Sequence, residues 1–362
     1  MQAGNQSIHR LAIWACLVGI ASSWSSETMA EDLSPFAKEV AKTLRYSHAD
    51  VRKVLAGELV IHQMNDEAKK ELAITAAVEA PRSPPVIFAD MQSRAFFEVD
   101  RTIHAWGSIE EFPVTAASLA KLVIPDAELD ELLGVRPGSD FNLSEAEIVS
   151  LQATAKRLKG RSKLERRNGI MQTYRELLAL RVEAYRNGGV DGIAPFYRGR
   201  KFSYPAKDLA DAIPSPDSPI ARHAPEFYRR LREKPIDATF RSDAQGVEDR
   251  FLWVLQELNG RPAVILAHRV IGLEAGEAFM AQRDFYVSHT FDALQVLVGV
   301  LPNGPDKSII IYSNRTYTEQ VAGFASGAAH SIGRRMMAKE VQTLIESILA
   351  KFRAEDAGAR AR

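Results

Sequence analysis

The chain has 362 residues, with 46 Lys and Arg against 46 Asp and Glu, so no global electrostatic field draws it to nucleic acid or to an anionic surface. That length is enough to bury a large core in one elaborated domain or two, and the composition is that of a folded protein rather than a disordered one. The single cysteine, Cys16, falls in the first thirty residues, which excludes disulfides, thiolate catalysis and thiolate-bound metal from whatever lies beyond them.

Residues 1–30 read as an export signal. His9 and Arg10 form a weak positive start, Leu11 to Ala21 an apolar core too short for a permanent span, and Thr28-Met29-Ala30 a small-residue cleavage site. The expected location is therefore periplasmic or secreted, after cleavage near Ala30. Ile13-Trp14-Ala15-Cys16 leaves lipidation at Cys16 open. No later run is apolar enough for a transmembrane segment.

Residues 31–150 read as an α+β part of the core. Asp32 to Leu55 has helical spacing, with Phe36, Val40, Leu44, Val51 and Val54 on one side and Gly57 beyond its end. Glu58–Gln63 and Leu72–Val78 alternate as a pair of strands turning at Asn65-Asp66. Val86 to Trp106 is expected to be a helix ended by Gly107. Residues 108–150 hold nine acidic side chains against Lys121 and Arg136, and Ser118–Ile124 reads as a strand or a short helix.

Residues 151–235 read as a helical insertion or subdomain, with helical pieces at Gln152–Leu158, Lys163–Arg186 and Ala224–Arg232. Lys and Arg outnumber Asp and Glu there by nineteen to nine, which suits solvated helix faces or an interface with the acidic stretch.

Residues 248–351 organise the rest. Phe251–Leu258 and Ala263–Ile271 flank Asn259-Gly260, a hairpin dipeptide. Phe279 to Val300 is too long for one strand and is expected to break around Thr290–Ala293. Leu301–Lys307 is a turn and Ser308–Tyr317 a β-branched strand. From Thr318 the period becomes helical through Val321, Phe324, Ala328, Ile332, Met336, Val341, Leu344 and Ile348. Gly323, Gly327 and Gly333 in its first half suit either close packing on the sheet or room for a ligand. Residues 352–362 are expected to be a disordered tail. The expected fold is thus α+β: a curved antiparallel sheet closed by a long C-terminal helix, with a helical insertion in the middle.

Polar candidates are few. Strand alternation puts Arg283, Phe285, Val287 and His289 on one face, and His289 with Asp292 could serve as a general base or hold a head group. Asn314 and Arg315 close the last strand, where a guanidinium could clamp an anion. Ser118 and Lys121 spell S-x-x-K, the nucleophile motif of penicillin-binding proteins, and Tyr312-Ser313-Asn314 resembles the second motif of that family, but no third motif follows. His223 and Glu226 have helical spacing but no third ligand, so no metal and no other cofactor is expected. Walker, Rossmann and H-E-x-x-H patterns are absent, as is the aromatic–basic interleaving of nucleic-acid binders.

The segment Asp284–Arg334, with Leu133–Asp140 upstream, resembles a group of exported bacterial proteins of unknown activity. The strand, strand and long-helix ending resembles START-like helix-grip proteins. That resemblance implies a lipid or other apolar or amphipathic small molecule held between sheet and helix; the polar candidates above, Arg283, His289, Asn314 and Arg315, are the residues expected to bind its polar end. The alternatives are a structural or partner-binding envelope protein that meets another envelope protein, and an envelope hydrolase.

Overall fold

A computed structural model describes residues 33–64, 68–93, 95–235, 247–322 and 326–360. The export signal, the Asn65-Asp66 turn, Gly323 and Phe324 fall outside them, as does the end of the tail.

Two short helices, α1 (Pro35–Thr43) and α2 (His48–Leu55), stand where one was expected. The break comes at Arg45, in the left-handed region at φ 58°, and Ser47 then starts α2 with a reciprocal capping box to Asp50. Strands β1 (Val60–Gln63) and β2 (Glu71–Ala80) pair antiparallel as their alternation predicts. After α3 (Pro84–Gln92) and α4 (Ala95–Val99) the expected helix gives way to a strand, β3 (Ile103–Ile109), on the sheet edge. Gly107 lies inside that strand because it passes over the Trp253 indole. A Cβ there would sit 2.6 Å from Trp253 Nε1.

The middle of the chain is helical: α5 (Asp126–Leu133), α6 (Glu145–Arg157) and α7 (Lys163–Gly188). A hairpin of β4 (Phe196–Tyr197) and β5 (Phe202–Ser203) follows, then α8 (Pro205–Asp211), α9 (Pro219–His223) and α10 (Pro225–Arg232). The acidic and basic stretches do meet here, where Arg167 of α7 binds Asp126 and Asp130 of α5. Ser118–Ile124 holds only the end of a 3-10 turn, Ala116–Leu119.

The remaining strands are β6 (Val247–Leu258), β7 (Arg261–Glu274), β8 (Glu277–Val287), β9 (Ala293–Pro302) and β10 (Ser308–Tyr317). Asn259-Gly260 makes the β6–β7 turn with φ 52° and 76°. The long apolar run breaks at 288–292, where Thr290 has φ 79°. Helix α11 (Ser326–Arg360) closes the chain, and Thr318 caps a separate 3-10 turn before it.

All of β1–β3 and β6–β10 form one sheet of eight strands in the order β1-β2-β10-β9-β8-β7-β6-β3, so the N-terminal strands flank the C-terminal meander. One face carries α3, α4 and α11, with Ile74, Val78, Met280 and Val298 against Met337, Val341, Ile345 and Phe352. The opposite face is covered too. Tyr174, Leu178 and Tyr185 of α7 pack on Phe251, Leu266 and Phe285, while α1 and α10 pack on Val270 and Phe279. The insertion is therefore a second layer of the same core.

Candidate functional site

Alternate residues of a strand point to opposite faces, so a polar residue on an apolar, helix-covered face needs partners. The face under α3, α4 and α11 carries such a set in its centre. One rung reads Arg250, Arg269, Gln282, Val296, Asn314, Ile74 across six strands. The next rung places Ala267, Asp284, Leu294, Thr316 and Leu72 side by side.

Arg269 and Asp284 are 5% and 4% exposed. They do not meet directly. Gln282 stands between them, accepting from Arg269 Nε at 3.1 Å and Nη2 at 2.5 Å and donating to Asp284 Oδ1 at 2.9 Å. Among the described residues, both charged groups spend their hydrogen bonds on this one amide. The Arg269 guanidinium also lies 4.5 Å over the Phe97 ring of α4. Burial lowers Arg269 to about 10, and the nearby Asp284 charge only partly offsets it. Burial likewise raises Asp284 to about 7 against the lowering effects of Gln282 and Arg269. Arg250, opposite Arg269, is satisfied by Glu248 at 2.6 Å and the Gln92 carbonyl.

On β10 the side chains of Tyr312, Asn314 and Thr316 form a chain of their own, Asn314 Nδ2 donating to Tyr312 Oη at 3.1 Å and Thr316 Oγ1 to Asn314 Oδ1 at 2.8 Å. Gln282, Leu294 and Tyr312 are only half-buried, although they point inward. On α11, Ile332 and Met336 are 53% and 49% exposed on the flank shared with Glu340. Glu340 is reached by solvent, yet desolvation and the Asp100 carboxylate raise its carboxyl. The small residues of α11 divide accordingly. Gly333 presses on Leu72, whose Cδ1 would lie 2.8 Å from a Cβ, whereas Gly327 meets nothing within 4 Å.

Of the residues expected to hold a ligand, Asn314 is the one on this face. Arg283 and Arg315 point to the opposite face, and both have acceptors there. Arg283 donates to Gln295 and the Leu231 carbonyl, and Arg315 to Glu71. The expected alternation from Arg283 to His289 also fails. A bulge at Phe285 lets it share a face with Tyr286 and sends Val287 to the other. His289 sits beyond the strand, bound to Thr290 and the Pro262 carbonyl. Asp292 belongs to a separate network with Arg198 and Ser203, so His289 and Asp292 form no acid–base pair. Ser118 accepts from the Thr115 amide within its own turn and Lys121 is exposed. No group of three or more His, Cys, Asp or Glu among the described residues is arranged to hold a metal ion.

Reading Arg269 as a member of the set requires its parity. It lies between Ala267 and Ile271 on β7, both buried on the α3 side, so a charge at that register had to face inward. The parity was legible in the strand Ala263–Ile271, but its other register, Val264, Leu266, His268 and Val270, is equally apolar, and only the fold shows which face α3 covers. A second polar chain lies on the opposite face. His268 joins Tyr185 Oη at 3.1 Å and Asp249 at 2.7 Å, and Asp249 is bound in turn by Arg230.

No family model and no curated protein matches the chain. A START-superfamily protein from Mycobacterium smegmatis is similar in structure over 29% of this chain and 65% of that one, less than two thirds of its length, at 14% identity and a TM-score of 0.23. No helix among the described residues is long and apolar enough to cross a membrane.

Proposed function

We propose that this is an exported binding or carrier protein for an amphipathic small molecule, such as a lipid. The ligand lies between the sheet and α11, its polar end at Arg269, Gln282, Asp284 and Asn314 and its apolar body along Leu294 and the Ile332–Met336 flank. One observation carries the reading: among the described residues a buried guanidinium and a buried carboxyl share one neutral amide as their hydrogen-bond partner, with the Phe97 ring under the guanidinium. Taking an ion out of water costs several kcal/mol unless partners replace the lost hydration, and one amide replaces little of it. A ligand head group supplies what is missing. The apolar surroundings and a few convergent polar groups are those of a small-molecule site.

Export is read from residues 1–30 alone. The test is native mass spectrometry of the protein purified from its own cell envelope, followed by organic extraction. A retained molecule with an apolar body is expected. An empty protein that also takes up no apolar probe would refute the reading.

A further inference from the structure

We propose that the head group bound here is a carboxylate, held by Arg269 and by Asp284 in its protonated form, so that binding at a pH where the free Asp284 is ionised takes up one proton. This rests on the sheet–helix site proposed above.

The argument is one of charge and geometry. The sheet face under α11 holds one permanent cation, Arg269, and one carboxyl, Asp284, one rung further along. Without ligand and once ionised, Asp284 supplies the negative charge opposite Arg269, relayed through Gln282. An incoming carboxylate brings a second negative charge into the same desolvated space. Two carboxylates facing one guanidinium cannot both stay ionised there, and the outcome is a shared proton. The planar guanidinium fork matches a two-oxygen anion, since its Nε and Nη2 already converge on a single Gln282 oxygen that such a ligand can displace or share. A protonated Asp284 then donates its O–H to the second ligand oxygen, and no atom of the site is left as an uncompensated charge.

The other groups facing Asp284 leave this balance in place. Tyr312 on β10 is a neutral phenol whose pKa burial raises further. Arg250 on β6 is neutralised by Glu248, and Gln282 on β8 is neutral. Glu340 of α11 and Asp100 after α4 are carboxyls whose charge, with that of Asp284, raises Tyr312 and keeps it a neutral phenol. Asp284 titrates at about 7 because of its burial, so the proton is available near neutral pH. Affinity for a carboxylate is then full below that value and falls about tenfold per pH unit above it.

The experiment is titration calorimetry of the whole protein with laurate and with dodecanol, each in buffers of different ionisation enthalpy at pH 6.5 and 8. Laurate is expected to bind at least tenfold tighter than dodecanol at pH 6.5 and to take up close to one proton at pH 8, with none for dodecanol. Asp284→Asn should keep laurate binding but lose both the proton uptake and the pH dependence. Arg269→Met should bind the two probes alike. Equal binding of laurate and dodecanol with no proton uptake by the unaltered protein overturns the carboxylate proposal and leaves the carrier reading standing. Binding of neither probe by a protein that arrives with another apolar ligand does the same. Binding of neither by an empty protein overturns both.

Discussion

Arg269 and Asp284 lie one rung apart on the same buried face of the sheet and share Gln282 as their hydrogen-bonding partner. Neither is placed for core stability alone, because an apolar pair at those registers would pack without any desolvation cost. The predictions below start from that relationship.

Asp284 is protonated up to about 7 in the fold and to about 3.8 in the unfolded chain. The folded state therefore binds more protons between those values, and stability contributed by the neutral acid is lost as pH rises from about 4 through about 7. Asp284→Asn should leave the unfolding midpoint unchanged at pH 4 and raise it at pH 8, by an amount bounded at about 4 kcal/mol. Urea denaturation at both pH values measures it.

Gln282→Leu removes the shared amide and leaves two buried ionisable groups without it. The expected loss is about 3 kcal/mol at pH 8, larger than for Gln282→Glu, which restores an acceptor for Arg269. Thermal unfolding of both variants makes the comparison.

On the opposite face, His268 carries the link between Tyr185 and Asp249. His268→Phe keeps the ring but removes the partner of the Tyr185 hydroxyl and leaves Asp249 with Arg230 alone, so a loss of about 2–4 kcal/mol is expected with ligand affinity unchanged. Equal losses of stability and of affinity would contradict the separation of the two faces.

The small residues of α11 give a paired test. Gly333→Ala drives a methyl against Leu72 and should destabilise, whereas Gly327→Ala meets open space and should stabilise by up to about 1 kcal/mol through helix propensity. Denaturant midpoints of the two variants should move in opposite directions.

Strands with strong alternation and a defined turn were legible in the sequence, as Ser308–Tyr317 and the Asn259-Gly260 hairpin show. Ile103–Ile109 was not, since its helical spacing continues from α4 and only the Trp253 contact explains Gly107. Nor was the Ala275-Gly276 turn, with φ 53° at an alanine, which divides β7 from β8. The site suffered from the same cause. A single bulge at Phe285 reverses every side chain beyond it, so a face assignment carried from Arg283 to His289 ends on the wrong side. The polar set under α11 is assembled from four separate strands, and its members become neighbours only through cross-strand register.

The most direct measurement is native mass spectrometry of the protein and of Arg269→Met, both purified from the native cells under the same conditions. The account predicts a bound molecule with an apolar body on the unaltered protein and its loss or strong depletion on the variant. Equal occupancy of the two, or an unaltered protein that carries nothing and accepts no apolar probe, would contradict it.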